Sequence, residues 1–203
     1  MAVVDDDRKR TPTRGAQLRY LEAGLRVLAN HGHAGLKLAT VCETVGATTG
    51  SFYHAFPNWG DYTSALIRYW REEKSDRFIR SARDVTDPVQ RLRFLIDVAL
   101  QLPHESEAAI RVWASHDSAV RAIQIDADEE RRRFISDAYF DAIGDRDRAD
   151  RYATVAMYLL VGYENATHRS RSALRWALET YFQQALAEED LVAPTHDDAP
   201  VTQ

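Results

Sequence analysis

The feature of this sequence that most constrains its fold is the spacing of apolar residues, which recur every three or four positions. Leu18, Leu21, Leu25 and Leu28 show this spacing first and predict a helix over residues 13–30. Comparable stripes follow, separated by Gly and Pro residues, and no segment alternates between apolar and polar residues as a half-buried strand would. The pattern predicts an all-α protein of about nine helices.

The composition is compatible with such a fold and with an intracellular location. The 203 residues are 45% hydrophobic and 28% charged, as in a soluble globular protein. The single cysteine, Cys42, has no partner for an internal disulfide, which favours a reducing compartment. The N-terminus lacks the apolar core of a signal peptide, and the longest apolar stretch, residues 152–163, is too short to span a bilayer. We therefore expect a cytoplasmic protein that does not enter a membrane.

Charge is distributed unevenly along the chain. The net charge is −5, yet residues 8–59 contain seven basic and two acidic residues, which leaves a charge of −10 for the rest. A basic N-terminal segment followed by an acidic remainder is expected when the basic segment binds phosphate. A run of charged residues is, however, more often a solvated face. Charge alone does not decide between these two interpretations.

Two short helices around a tight turn are predicted between Gly32 and Pro57. The first ends at Gly46, and the second contains the sequence TTGSFYHAF. Phe52 and Phe56 are four residues apart, so both point inward and hold the second helix on the first. The remaining polar side chains of the second helix then lie on its outward or flanking faces: Thr49, Ser51, Tyr53 and His54.

A helix, a turn with glycine and a second helix rich in short polar side chains is the arrangement in which the second helix enters the DNA major groove. Hydroxyl groups there can donate to phosphate oxygens or contact base edges, and the backbone amides at the helix N-terminus favour an anion. Gly50 leaves room for close approach. The sequence therefore predicts a DNA-binding element at this position.

Three features follow in the rest of the chain. Asn58 is expected to cap a long fourth helix that continues to about residue 83, with Asp61 reaching back to it. The seventh predicted helix contains the charged sequence DADEERRR, which we expect to be mostly solvated. The eighth contains YATVAMYLLVGY, and a helix that is apolar on every side must be covered on every side.

The segment from about residue 18 to 69 resembles the DNA-binding domain of the tetracycline-repressor (TetR) family. The family pattern IA..AGVS.G.LY.HF is similar to VCETVGATTGSFYHAF, and PNWGDY resembles the capped fourth helix that follows. The resemblance implies an all-helical homodimer with an N-terminal helix-turn-helix domain and a larger domain that binds a small effector and relieves repression. The implied organisation is a disordered tail (1–12), a DNA-binding domain (13–57), an effector-binding and dimerisation domain (58–189) and a second disordered tail (190–203).

The resemblance also implies which residues bind DNA. The family's recognition-helix contacts match Thr48, Thr49, Ser51, Tyr53 and His54. Lys37 stands where the family usually has a capping Thr or Ser, so it keeps the attraction for phosphate and loses the cap. Ala55 replaces a frequent histidine, and Trp59 replaces a common lysine and leaves an indole N–H as donor. We expect these departures to shift the affinity for DNA rather than abolish it.

Further expectations concern partners. One recognition helix contacts too few base pairs for specificity, so we expect a homodimer on a palindromic double-stranded DNA operator, paired through the last two helices. The resemblance implies a small-molecule effector, and no cofactor or metal is expected. The surplus of aromatic and thioether side chains in the middle of the chain suggests the residues of its pocket: Phe94, Trp113, Tyr139, Met157 and Tyr158.

Two other functions remain open at this point. For an enzyme, His104, Glu105, His116, Asp117 and His168 are candidate groups, but no metal-binding, nucleophile or phosphate-loop motif accompanies them. A helical small-molecule-binding protein with a weakened or lost DNA-binding role is the second, and Trp59 and Ala55 offer it slight support. The operator, the effector and the regulated genes do not follow from the sequence.

Overall fold

A computed structural model describes residues 14–190, and every regular element in that range is a helix. The α-helices are α1 (Arg14–His31), α2 (Leu38–Val45), α3 (Thr49–Ala55), α4 (Trp59–Tyr69), α5 (Asp76–Arg83), α6 (Pro88–Gln101), α7 (His104–Ala114), α8 (Ser118–Ile143), α9 (Arg146–Asn165) and α10 (Arg171–Asp190). This architecture confirms the predicted all-α class. The predicted tails, 1–12 and 190–203, lie outside the described residues except for Asp190.

The chain forms two compact units. Among the described residues, the first unit comprises 14–75 and 103–125, and the second comprises 76–102 and 126–190. Helix α8 contributes its residues through Ile125 to the first unit and the others to the second. The predicted boundary at residue 57 separates a DNA-binding function from an effector function, and it stays a prediction.

Helix α1 buries part of the face that its leucines predict. Leu25 and Leu28 are buried as predicted, whereas Leu18 is 40% exposed. The buried face also includes Tyr20 and Val27, because α1 carries apolar residues on more than one stripe and each stripe satisfies a helical period. The extent of the buried face therefore depends on what packs against the helix.

Helix α4 packs on α1 at Gly24. The hydroxyl of Tyr62 in α4 donates a hydrogen bond of 3.0 Å to the carbonyl oxygen of Tyr20. A Cβ at Gly24 would collide with that hydroxyl and would lie 2.8 Å from Cδ2 of Leu66. Only glycine therefore allows the two helices to come this close.

The predicted fourth helix is interrupted. Helix α4 is followed by a π-helical segment, Trp70–Ser75, and then by α5, so residues 14–190 contain ten α-helices where nine were expected. The buried indole of Trp70 donates a hydrogen bond of 2.8 Å to Oε1 of Glu107 in α7. The predicted cap of α4 is present, because Asn58 Oδ1 accepts from the backbone N–H of Asp61 at 2.8 Å. Asp61 reaches back as expected and accepts from Nδ2 of Asn58 at 3.0 Å.

Helices α6, α9 and α10 pack together in the second unit. Two clusters of buried residues form its core, with Tyr139, Tyr152 and Phe182 among the first and Leu160 and Leu178 among the second.

The charged middle of α8 is an exception to the expected solvation. Arg131 is buried, and Arg132 is half-buried and donates to Glu129 at 2.9 Å and to Asp150 at 3.2 Å. The hydroxyl of Ser136 also donates to Asp150, at 2.6 Å. The expectation of a mostly solvated segment was wrong because long arginine side chains bury their stems while their charged ends are neutralised by carboxylates.

Candidate functional site

The turn between α2 and α3 sets the position of the polar helix α3. Gly46 ends α2 in the left-handed conformation, with φ 71° and ψ 40°, where glycine is unstrained. The backbone N–H of Ala47 then donates to the carbonyl of Cys42 at 2.9 Å. Thr48 begins α3, and its side-chain oxygen accepts from the backbone N–H of Ser51 at 3.2 Å. This is a capped helix that starts directly after a tight turn.

Aromatic packing holds α3 on the first unit. Phe52 is fully buried and Phe56 is 3% exposed, which confirms the predicted inward orientation. The ring of Tyr20 lies edge-on to both, with centroids 5.4 Å from Phe52 and 6.2 Å from Phe56. The ring of Tyr62 also lies edge-on to both phenylalanines, with centroid distances of 5.3 Å and 5.1 Å. Such edge-to-face pairs fix ring orientation as well as burying area.

Two side chains of α1 tie the ends of the short helices to the unit. Nε2 of Gln17 donates to the carbonyl of Ala55, the last residue of α3, at 3.0 Å. Nη2 of Arg19 donates to the carbonyl of Val45, the last residue of α2, at 3.4 Å. These bonds satisfy carbonyl groups that a helix leaves without a partner at its C-terminus.

The side chains predicted to bind DNA lie together on the outside of α3. They are all exposed: Thr48, Thr49, Ser51, Tyr53 and His54. The hydroxyl oxygens of Thr48 and Ser51 are 3.1 Å apart, so one of the two donates to the other. The pair has two hydroxyl protons and uses one between them. The second proton remains for an acceptor outside the protein.

The two flanking residues differ in exposure. Lys37 is exposed and precedes α2, which lacks a side-chain capping bond, as its replacement of a Thr or Ser implies. Trp59 is half-buried at the start of α4, with its ring centroid 4.9 Å from that of Tyr62 and 6.0 Å from that of Phe52. Of the seven basic residues in the N-terminal segment, three lie outside the described residues, namely Arg8, Lys9 and Arg10.

The second unit contains a cavity of about 50 Å³, partly open to solvent, between α6, α8, α9 and α10. Its lining is apolar except for two phenolic hydroxyls. The lining residues are Leu92, Leu95, Ile96, Ala99, Ile135, Tyr139, Ala156, Met157, Leu160, Leu178 and Tyr181. Burial, together with the hydroxyls of Tyr181 and Tyr152, raises the pKa of Tyr139, so its phenol stays neutral.

Comparison with known proteins decides which fold this is. No family model matches the chain, and no curated protein matches it in sequence. A TetR-family regulator from Agrobacterium tumefaciens has a similar structure, with a TM-score of 0.72 and 16% identity over 84% of this chain and 97% of the other. The chain has the TetR-family fold.

Two further structures with this fold contain bound molecules. A transcriptional regulator from Saccharomonospora viridis in complex with choline matches with a TM-score of 0.70 and 18% identity, over 83% of this chain and 96% of the other. AibR in complex with isovaleryl coenzyme A and operator DNA matches with a TM-score of 0.64 and 14% identity, over 82% of this chain and 98% of the other.

The residues suggested for an effector pocket do not all lie together in this TetR fold. Tyr139 and Met157 line the cavity of the second unit. Phe94 is half-buried on α6 and is not among the lining residues, and Tyr158 is 69% exposed on α9. Trp113 belongs to the first unit, where its ring stacks on that of His33 at 5.5 Å. Aromatic content is therefore a weak guide to the lining of this cavity.

Sequence reasoning missed most of the cavity-lining residues. Leu92, Ile96, Leu178 and Tyr181 belong to ordinary apolar stripes of α6 and α10. Core residues and lining residues share this pattern, so the sequence contains no signal that separates them.

Between residues 14 and 190, no group of three or more His, Cys, Asp or Glu side chains could hold a metal ion. In the same range, no helix of this TetR-fold chain is long and apolar enough to cross a membrane.

Proposed function

We propose that this protein is a cytoplasmic TetR-like transcriptional repressor, which binds a palindromic operator as a homodimer and is released by a small-molecule effector. The observation that carries the proposal is the cluster of exposed donors on α3, a capped helix held from behind by buried aromatic rings. The TetR-family fold supports it, and so does AibR, a protein of that fold whose structure contains operator DNA.

In this proposal, α3 enters the major groove with its N-terminus toward the sugar-phosphate backbone. The spare hydroxyl proton of the Thr48–Ser51 pair donates to a phosphate oxygen, and the backbone amides of the first turn add positive potential. Tyr53 donates to phosphate from the next turn, while Thr49 and His54 are placed to contact base edges. Lys37 and the indole of Trp59 contribute flanking backbone contacts.

The dimer forms through α9 and α10, since both helices expose apolar side chains in the single chain. Tyr158 on α9 and Trp176 on α10 are each 69% exposed, which is unusual for large aromatic residues. Gly162 shares the Tyr158 face of α9, and a Cβ there would meet nothing within 4 Å. A second copy covers this surface and presents two α3 helices to half-sites about 34 Å apart.

The effector binds in the cavity of the second unit and favours a dimer geometry in which the α3 helices no longer fit the operator. A coupling free energy of about 1 to 3 kcal/mol would weaken operator binding about 5- to 150-fold. This regulatory role requires no catalytic group, and we therefore infer a regulator rather than an enzyme.

A helical small-molecule-binding protein that does not bind DNA is the second candidate. The observation that favours it is Trp59, whose half-buried indole stands where the TetR resemblance expects a lysine. Loss of that cation removes one phosphate contact from each subunit.

A binding measurement on duplex DNA from upstream of the protein's own gene distinguishes the two candidates. We expect an affinity that falls steeply with salt concentration, because phosphate contacts release counterions. Tyr53→Phe removes one hydroxyl and is expected to weaken DNA binding about 2- to 10-fold, which corresponds to the free energy of one hydrogen bond. The matched control, Thr86→Val, removes an exposed hydroxyl from the second unit, between α5 and α6, and should leave the affinity unchanged. Equal effects of both changes, or no binding to any duplex, would favour the second candidate.

The dimer has its own test in sedimentation equilibrium. We expect Trp176→Glu to convert the dimer to a monomer, because it places a charge in the apolar interface. Ile125→Glu changes a residue that is 60% exposed in the first unit, and that variant should remain dimeric. A monomeric unmodified protein at micromolar concentration would refute this part of the proposal.

A further inference from the structure

The cavity of the second unit has a lining that restricts the chemistry of its ligand. Each of the lining residues is uncharged, and nine of them are aliphatic side chains or methionine. A carboxylate or ammonium group placed there would lose its hydration without gaining a partner of opposite charge. The lining therefore disfavours a charged ligand group at this depth.

Two tyrosines are the only lining residues of the cavity that have a polar side-chain group. Tyr139 of α8 and Tyr181 of α10 contribute the two phenolic hydroxyls. The ring of Tyr152 packs against both, with its centroid 5.5 Å from that of Tyr139 and 4.7 Å from that of Tyr181. Tyr139 is only 4% exposed. A buried neutral phenol can donate to an oxygen of a ligand or accept from a ligand hydroxyl.

The size of the cavity gives a second restriction. About 50 Å³ is less than the roughly 150 Å³ of an engineered apolar cavity that binds benzene. A ligand with a ring therefore requires one lining side chain to move. Met157 is 7% exposed and unbranched, and its side chain can change rotamer more readily than the branched residues around it.

The neighbouring groove on α6 and α10 does not supply a site for a charged head group. Arg175 lies there, and its guanidinium already pairs with Asp97 and with Glu179, each at 3.1 Å. These contacts satisfy the cation within the protein. A ligand charge at this position would have to displace one of two existing ion pairs.

We propose that the cavity binds a small uncharged molecule with an apolar body and one hydrogen-bonding oxygen, which contacts the hydroxyls of Tyr139 and Tyr181. This inference names the chemical class of the effector, and it rests on the proposed function for its regulatory consequence. The class excludes ligands that must bury a charge, such as a quaternary ammonium or a carboxylate.

Three probes test the proposal: benzyl alcohol, benzoate and benzylammonium. Each contains a benzene ring, and they differ in the charge of the polar group. The 203-residue chain contains two methionines, Met1 and Met157, so the methyl NMR signal of Met157 reports on the cavity directly. We expect benzyl alcohol to shift that signal saturably, and each charged probe to require an at least roughly tenfold higher concentration. The signal of Met157 is assigned by its loss in Met157→Leu.

Two variants separate the cavity from other sites. Ala156→Leu fills the cavity and should abolish the shift, whereas Ala122→Leu makes the same change on the exposed surface of α8 and should not. Tyr139→Phe should weaken the binding of benzyl alcohol about 2- to 10-fold. The same variant should bind toluene, which has no oxygen, with unchanged affinity. The toluene measurement also shows that the variant is folded.

The outcomes are separable from those of the DNA measurement. Tighter or equal binding of a charged probe would overturn the proposed ligand class, and so would the absence of any shift with benzyl alcohol. Because the titration contains no DNA, it gives the same result whether or not the protein is a repressor. Benzyl alcohol binding that leaves the operator affinity unchanged would support the ligand class and would count against the effector part of the proposed function.

Discussion

The exposed surface of α3 and the cavity of the second unit differ in how the chain builds them. The α3 surface comes from one short helix, so its polar residues are neighbours in sequence and share a face by helical geometry alone. The cavity collects side chains from four helices that are far apart in sequence. A local site can be recognised from residue spacing, whereas a site assembled from distant elements depends on how those elements pack.

The largest expected effect tests what holds the α3 surface in place. Phe52→Ala removes a fully buried ring and should lower the free energy of unfolding by about 3 to 5 kcal/mol. The adjacent Tyr53 is 50% exposed, and Tyr53→Ala should cost at most about 1 kcal/mol. Urea denaturation of both variants provides the measurement. Similar losses would mean that α3 does not have one buried and one exposed face.

The second unit offers a similar pair of neighbouring residues. Leu178 is 6% exposed and lines the cavity, so Leu178→Ala should lower the free energy of unfolding by about 2 to 5 kcal/mol. Trp176→Ala should change the stability of the isolated subunit by less than about 0.5 kcal/mol, because its side chain is 69% exposed. Unfolding must be followed at several protein concentrations, since a dimer would make Trp176→Ala destabilising in a concentration-dependent way.

A smaller effect concerns the missing cap of α2. The backbone at Lys37 is extended, with φ −132° and ψ 151°, as a capping residue requires, but its side chain makes no capping bond. Lys37→Ser should therefore raise the free energy of unfolding by about 1 kcal/mol. In the proposed function the same change removes a phosphate contact and should reduce the slope of log affinity against log salt by about 1 per subunit. A variant that is more stable and keeps the full salt dependence would show that Lys37 does not contact DNA.

The smallest effect is a difference in pH dependence between the two units. Burial, with a further contribution from His116, lowers the pKa of His33 below its ordinary 6.5, while Asp117 opposes the shift. A group whose pKa is lowered in the folded state contributes stability above its unfolded pKa, and this is lost as the pH falls from about 6.5 toward the folded pKa. We expect the first unit to loosen in this range.

The second unit should stay folded to a lower pH than the first unit. A hydrogen bond from Arg132 lowers the pKa of Glu129, and one from Ser136 lowers that of Asp150. Their contribution is present above the unfolded values of 4.5 and 3.8 and disappears below them. Hydrogen exchange at pH 7, 5.5 and 4 resolves the two units separately. His33→Phe serves as the control, since it should remove the pH 5.5 response of the first unit.

The sequence predicted different parts of the molecule to different extents. The α2–α3 turn, the Thr48 start of α3 and the inward phenylalanines follow from local rules, because Gly46 and the spacing of Phe52 and Phe56 are sufficient to specify them. The buried face of α1 followed only in part from its leucines, since Leu25 and Leu28 are buried and Leu18 is exposed. The solvation of the charged middle of α8 was wrong for a related reason: its arginines are neutralised by Asp150, which lies on another helix.

The amino-acid sequence by itself determined the helical class, the capped starts of α3 and α4 and the polar face of α3, because helical periodicity and capping act over a few residues. Only the tertiary structure decided that Tyr139 and Met157 line a cavity while Trp113 and Tyr158 do not. It also decided that Gly24 lies against Tyr62. These outcomes depend on contacts between residues that are distant in the chain, and the spacing of residues along one helix does not specify its partners.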